Sequence, residues 1–589
     1  MLKNRGFSVV FISFLLINII MPLGVEGCKD ILACGDSTRG DYNLFLKVRD
    51  PSRQGLQVLC IVPEGYEYTY HYPWTGIEMI STNKHKYIGV ASKDDIIPNI
   101  VKSGMTLTDV GLAFGDADTN SNWVNPTKNA WDDFDWIRYA CEKAEGIDEA
   151  VSLLTEYAVD KLHATGVSEN LFVVGPTSGY IIEADAFRYN VKKIVNGVGI
   201  ISNYPKELWK SQIHKRLPIA PSFDFEKESY VDKGNTLRLN SLFGVKILEI
   251  NENSILVRQV PFFKFIYNML TIMGNKVEIK LGEREIAGDY SIELLNISGN
   301  KAKIRVCYKF KAWEDEMMKH INSKNGSISV KDMINWSRIK GNDLDGLRPL
   351  CEDIYENEAV AIYKIPCVNY EVLGGGWFSA NLACSSIYVP FHICDNDIFD
   401  PYETGEAAAL SQELFNIYGY NNLTSFINVE DVFLYENDIL EEIAINKIKK
   451  GEDVSEIFTI FDTNVQIQAW LTEHIWIEIN KILDKNDKEK IIDLISKIWM
   501  NNYTTSLDLM EHAIIDLINI SGTSTIVQII ENITQSINRS KKNKDIALGL
   551  NSSEIEEKYK EKLHLIDKFE FVMNFDHLKI ANKCSDRSI

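Results

Sequence analysis

The chain has 589 residues, 45% of them hydrophobic and 25% charged, with 62 basic against 83 acidic side chains and a formal net charge of -21. That length and apolar content allow about two to four domains with an ample core. Such acidity offers no field to attract phosphates, which argues against a nucleic-acid partner, and its ordinary consequence is solubility.

Residues 1–27 read as an export signal: a short basic start (Lys3, Arg5), an apolar run from Phe7 to Leu23, and small or modest side chains at Val25 and Gly27, three and one positions before a cut. Cleavage after Gly27 makes Cys28 the first residue of the mature chain. An uncleaved anchor fits less well, because the apolar run is shorter than about 20 residues and is broken by Asn18 and Pro22. No later stretch is apolar enough to span a bilayer, so the protein is expected to be secreted or held at the cell surface. Val25-Glu26-Gly27-Cys28 also approximates a lipobox, in which Cys28 would carry lipid; Glu26 goes against it, since that position is usually small.

From Asp30 to about Ser202, short strands (ILACG, YNLFLKV, LQVLCIV, HKYIGVA, GLAFGD, LFVVG, YIIEAD, VGIISN) alternate with two helical stretches, DDFDWIRYACEKA and IDEAVSLLTEYAVDKLHATG. Gly166 is the expected stop of the second helix and His163 a cap near its end. Strands grouped around paired helices predict an α+β layered body. Between Phe223 and Phe310 the helical period vanishes, and GVKILEI, SILVRQV, KVEIKLG, YSIELLNI and KAKIRVCYKF predict an inserted all-β unit of about five strands, bounded at 223–324. A polar return linker follows to Leu347, then a strand-rich segment from Glu358 to His392 that completes the core by residue 404. Residues 405–550 are expected to be helical, their apolar stripes being packing faces, and 551–589 a charged, mobile tail.

Ten cysteines in an exported chain permit disulfides, but no dense framework or CxxC pair is present. HExxH, the P-loop and GxSxG are also missing, so neither a metal nor another cofactor is expected. Sequons at Asn296, Asn422, Asn532 and Asn538 fit a glycosylated surface protein.

The chemistry gathers around Cys28. A hairpin turning near Thr38 and Arg39 places residue 28 opposite position 49 or 50, beside Lys47, Arg49 and Asp50. A thiol attacks only as thiolate and needs a base within reach. When cysteine is the first residue its own α-amine, with a pKa of about 7.7 to 8.0, is attached at the right distance. Asp50 can orient that amine, and a neighbouring cation favours the thiolate. Cys34, inside a strand and without an attached base, reads as a buried apolar residue or half-cystine.

This order of Cys28, hairpin, and a basic residue three before Asp50 resembles the N-terminal nucleophile (Ntn) cysteine amide hydrolases: choloylglycine hydrolase, penicillin V acylase, the acyl-coenzyme A:6-aminopenicillanic acid acyltransferase-like proteins and the dipeptidase A-like proteins. In that group the hairpin usually reads Arg-x-x-Asp or Arg-Asn-x-Asp. Here it reads Lys47-Val48-Arg49-Asp50: Asp50 matches, lysine replaces the arginine, and either Lys47 or Arg49 takes the cation's role. GLAFGDAD (Gly111 to Asp118) resembles the strand after which these enzymes carry an oxyanion-hole residue, often asparagine. Asp118 stands at that position, with Asn120 and Asn122 just beyond; an ionised carboxylate is wrong for an oxyanion, so a backbone N–H or one of the asparagines is the expected donor. In GIISNYP, Asn203 falls on the asparagine that holds the nucleophile. Arg348, in GLRPLCEDIYENEAVAIYKIP, is matched to a family arginine. The likeness covers about 28 to 205 and 345 to 440, leaving the β unit outside.

The resemblance implies an αββα layered Ntn-hydrolase body with the small inserted β unit and a helical C-terminal region. It implies an exported cysteine amidase, or acyltransferase, acting on small-molecule amides or peptides such as dipeptides and N-acyl amino compounds. The alternative is a lipid-anchored or secreted surface protein with a degenerate hydrolase fold, the β unit making cell-surface contacts. The Lys47 and Asp118 departures favour that alternative.

Overall fold

The computed structural model describes residues 28–49, 55–97, 102–119, 121, 123–208, 225–239, 243–261, 276–339, 359–419 and 423–482. The leader, Asp50, Asn120, Asn122, Arg348, three of the four sequons and the chain beyond 482 lie outside the described residues. The protein is a mixed helix-and-sheet structure.

Its first hairpin forms where the sequence places it. β1 (Lys29–Cys34) pairs antiparallel with β2 (Tyr42–Arg49) from Lys29↔Val48 to Ala33↔Leu44. Gly35 opens the turn at φ +57, and a Cβ there would lie 2.0 Å from Asn196 Oδ1, so the bend requires glycine. The hairpin is the centre of a six-stranded antiparallel sheet in the order β12 (Gly197–Ser202), β1, β2, β21 (Ala359–Pro366), β22 (Gly375–Ser379), β23 (Val389–His392). Residues more than 300 positions apart in the chain therefore become neighbours of β2.

A seven-stranded sheet runs in the order β11 (Arg188–Ile194), β10 (Gly179–Asp185), β9 (Ser168–Val174), β8 (Ala113–Thr119), β7 (Ser103–Thr108), β6 (Tyr87–Ser92), β3 (Gln57–Val62). Its inner strands bury both faces, while the edge strand β11 is largely exposed. Phe172, Val174 and Ile181 join one core with Phe45, Leu44 and Ile362 of the first sheet. Leu171, Val173 and Ile182 join a second core with helix α1 (Asp133–Lys143) and helix α2 (Ile147–Ser152), which continues as a π-helical stretch over Leu153–Lys161. This period-two split between two cores is what strands packed on both sides require. The first core extends to helices on the six-stranded sheet: α3 (Lys309–Asn322), α4 (Val330–Ser337), α5 (Tyr370–Leu373), α6 (Asp400–Thr404), α7 (Glu406–Tyr418), α8 (Leu423–Ile448) and α9 (Ser455–Ile482).

Close approach of the sheets depends on small residues. Gly115 of β8 faces the first hairpin, and a Cβ there would lie 2.5 Å from Phe45 Cζ, inside any real contact distance. Gly115→Ala is therefore expected to destabilise the fold by about 1–3 kcal/mol through overpacking, read from the midpoint of urea unfolding; an unchanged midpoint would mean that the sheets are not in contact there.

Several expectations change. The β region has eight strands where five were expected: β13 (Glu226–Asp232), β14 (Thr236–Arg238), β15 (Phe243–Ile250), β16 (Ser254–Pro261), β17 (Val277–Lys280), β18 (Arg284–Ala287), β19 (Tyr290–Ser298) and β20 (Lys301–Tyr308). They form two four-stranded sheets, β13-β20-β19-β18 and β14-β15-β16-β17, over a core of their own that includes Ile247, Val257, Ile292 and Ile304. The three unexpected strands, β13, β14 and β18, are all sheet edges, where one-sided pairing lets short, charged segments serve as strands. α3 occupies the end of the stretch expected to be β. The expected return linker contains α4, started by a capping box in which the Ser329 side chain and Asp332 satisfy each other's backbone N–H groups. The second helix of the core ends at Lys161 and not at Gly166; His163 takes the left-handed turn, φ 45, with its Nδ1 3.0 Å from the Ala186 carbonyl. Among the described residues no helix is long and apolar enough to cross a membrane.

Candidate active site around Cys28

Register fixes where Cys28 lies. Lys29 is paired with Val48 on one side and with Ser202 on the other. One step back along the strand sets Cys28 between Arg49 at the end of β2 and Asn203 just past β12. Side chains alternate across a sheet, so Cys28 shares a face with Asp30, and Asp30 is directly opposite Lys47. Cys28 itself is 7% exposed.

Lys47 is the cation of the site. Wholly buried, it lies 3.6 Å from Asp30 Oδ1 and 3.7 Å from Asp116 Oδ1, donates to the main-chain carbonyl of Asp116 on β8, and sets its charge against the Cys28 thiol. Burial works to lower its pKa, but Asp30, Cys28 and Asp116 together overcome this and keep it charged. With the chain continuous through residue 28, burial pushes the Cys28 thiol up to about 12; Lys47 opposes that, while Asp116, Asp118 and Asp30 add to it. Asp30 is raised well above the ordinary carboxyl range by burial, against the pull of Lys47. Neither of its oxygens has a hydrogen-bond partner.

Arg49 lies elsewhere. Its Nη1 donates to Gln57 Oε1 at 3.1 Å and the guanidinium rests over the Phe134 ring, 5.1 Å from the centroid. Of the two cations left open by the sequence, Lys47 is the one against the sulfur. Cys34, also raised to about 12 by burial, has its sulfur packed against Gly179 of β10.

On the far side of Cys28, Asn203 Nδ2 donates to the Asp118 carbonyl at 2.8 Å, while its Oδ1 is buried without a partner. Asn170 Nδ2 braces the same turn through the carbonyls of Ser202 (2.6 Å) and Tyr204 (3.3 Å). Asp118 faces Glu169 across the β8–β9 ladder. Burial raises Asp118, with Asp116 adding and a hydrogen bond to Glu169 opposing. Glu169 is raised further, by burial and then by the Asp118 charge, and Asp133 of α1 is raised by burial and by Asp116. Burial and each other's charge thus push Asp118 and Glu169 towards their protonated forms, which lessens the negative charge of the cleft.

The structure brings Cys28, Lys47, Asp118 and Asn203 together and sets Arg49 aside; Asp50, Asn120, Asn122 and Arg348 lie outside the described residues. Sequence reading missed Asp30, Asp116 and Glu169. Asp30 was within reach of it: two residues after Cys28 and in register with Lys47, it had to share their face. Asp116 and Glu169 had no such signal, because their proximity depends on how the two sheets pack.

No protein-family model matches the chain, and no curated protein matches it. Among solved structures it is similar to the penicillin V acylase of Agrobacterium tumefaciens, at 13% identity and a TM-score of 0.24, over 32% of this chain and 57% of that one. It is also similar to two variants of the conjugated bile acid hydrolase of Clostridium perfringens. One shows 9% identity, a TM-score of 0.31 and coverage of 62% of this chain and 92% of that one. The other shows 11%, 0.29, 63% and 90%. The chain thus spans little more than half the length of the acylase it matches. These neighbours are by name an acylase and a hydrolase; at such values they mark a similarity, and the chemistry rests on the geometry around Cys28.

Proposed function

We propose that the chain is an exported cysteine amide hydrolase of the Ntn type, with an αββα layered body, an inserted β unit, and Cys28 exposed as the first residue when the leader is removed. The observation that carries this reading is a wholly buried lysine whose charge acts on Cys28, a residue that strand register sets between β2 and Asn203. In the uncut chain the thiol has a counter-ion but no base. Cleavage after Gly27 supplies one, the α-amine of Cys28 itself, and Asn203 Oδ1 is available to accept an N–H from it.

In the reaction the amine takes the thiol proton and the sulfur attacks the amide carbon. The C=O bond opens to an oxyanion. The α-ammonium returns its proton to the departing nitrogen as the C–N bond breaks, leaving a Cys28 thioester that water hydrolyses to the free acid. Transfer of the acyl group to a second amine follows the same course. Dipeptides and N-acyl amino compounds are the substrate class, and Asp50 is assigned to orient the amine.

The test is intact-mass analysis of secreted protein mixed with a panel of dipeptides and N-acyl amino acids. A chain beginning at Cys28 that gains an acyl mass supports the reading. A chain beginning elsewhere, or one with lipid on Cys28, overturns it and favours the surface-tether alternative. Asp118 provides a sharper check. Asp118→Asn replaces a carboxyl with an amide donor of the same shape beside the expected oxyanion, and is expected to raise kcat by roughly 10-fold, a fraction of what one oxyanion donor contributes. Asp118→Ala is expected to lower it. Equal loss in both variants would show that the carboxyl itself is required.

A further inference from the structure

We propose that His392, Asp395 and Asp462 form a site for one divalent transition cation, zinc or manganese in class, that fastens helix α9 to the turn after β23. No step of the hydrolysis uses these residues. His392 ends β23, Asp395 lies three residues on in the turn, and Asp462 reaches the pair from α9. All three are buried, at 3%, 0% and 0% exposure, and one ligand atom from each falls within 4.8 Å of the others. The His392 Nδ1 is 2.6 Å from Asp462 Oδ2, and the Phe458 ring, one helical turn before Asp462, lies 4.3 Å from the imidazole and fixes its plane. Asp395 Oδ2 accepts the His392 backbone N–H at 2.7 Å. That leaves Asp395 Oδ1 and Asp462 Oδ1, both buried, with no protein donor.

Two carboxylates this close in a dry interior repel each other and lose their hydration, so something positive must lie between them. Among the described residues the neighbouring lysines are directed elsewhere. Lys86 donates to the main-chain carbonyl of Asp395, and Lys364 is held by both oxygens of Glu441 at 2.7 Å. A proton, shared between the carboxyls or held on His392 against Asp462, or a bound cation must complete the balance. One imidazole nitrogen with two carboxylates is a donor set suited to zinc or manganese, whereas calcium and magnesium prefer oxygen alone.

Full-length protein stripped with a strong chelator and dialysed against zinc or manganese is the material for the test, with bound metal counted by elemental mass spectrometry. The expected result is about one equivalent of tightly held metal per chain and a melting temperature that rises on the order of 5 °C when metal is restored. His392→Asn and Asp462→Asn are each expected to reduce the uptake at least ~10-fold; Asp462→Asn keeps a hydrogen-bonding group against the ring and so separates loss of metal from loss of shape. Wild-type protein that takes up no metal, or melts at the same temperature with and without it, overturns the proposal in favour of the proton. Uptake undiminished in both variants overturns it too, because the metal then sits elsewhere.

Discussion

Cys28→Ala is expected to lower amide hydrolysis by the mature chain at least ~10⁴-fold, the scale seen when a covalent nucleophile is deleted. The reason is positional. By register the residue stands between Arg49 and Asn203, with the charge of the wholly buried Lys47 acting on its thiol. The folded state should barely register the change, since removing one buried sulfur costs about 1 kcal/mol. Activity and stability are therefore expected to separate in this variant. A pH profile adds an independent readout. The neutral α-amine is the base, so kcat/KM should rise with pH on a limb whose apparent pKa lies near the amine's usual 7 to 8. Burial pushing the thiol towards about 12 in the uncut chain predicts that precursor protein, with its amine tied up in a peptide bond, is inert across the same range. Hydrolysis by Cys28→Ala at the wild-type rate on the same dipeptides would sink the assignment.

How much of this was legible in the sequence depends on the range of the forces involved. The first hairpin was, because its register follows from local alternation and one turn; Lys29↔Val48 is the pairing that sets residue 28 opposite 49. The strands GVKILEI to KAKIRVCYKF were legible for the same reason, four of them being central in their sheets and the edge strand KVEIKLG keeping the alternation. Their partners at Glu226–Asp232 and Arg284–Ala287 were not, because an edge strand needs only one buried neighbour and EKESYVD buries little besides Val231. Choosing between Lys47 and Arg49 was also beyond reach. Both are on the right strand, two residues apart, and what separates them is Asp116 of the other sheet on one side and Gln57 with Phe134 on the other. The His392, Asp395 and Asp462 cluster depends on helix α9 returning to β23 across 70 residues, for which no local pattern exists. Sequence reading thus found the proposed nucleophile and missed the charges packed around it.

Those charges make Lys47→Met the second large-effect substitution, this time on stability. Methionine keeps most of the side-chain volume but removes the ammonium that lies 3.6 Å from Asp30 and 3.7 Å from Asp116. Breaking a buried pair by deleting one partner strands the other charge, and a loss of about 3–5 kcal/mol is expected. The loss should depend on pH in a definite direction. Asp30 already has its pKa raised well above the ordinary range by burial, with Lys47 pulling it down; without Lys47 it rises further. A carboxyl raised in the folded state binds its proton more tightly there than in the unfolded chain, so its contribution to folding is present below the unfolded pKa of about 4 and is lost as pH climbs through the folded value. Lys47→Met should accordingly be closer to wild type at pH ~5 than at pH ~8. Adding Asp30→Leu should recover most of the deficit at both pH values, because an apolar pair of similar volume can replace a buried ion pair at little cost. Urea unfolding of the two single variants and the double at both pH values closes the cycle. A deficit in Lys47→Met that ignores pH and is not relieved by Asp30→Leu would mean that the lysine contributes packing alone, and the thiol beside it would then lose its only buried counter-ion among the described residues.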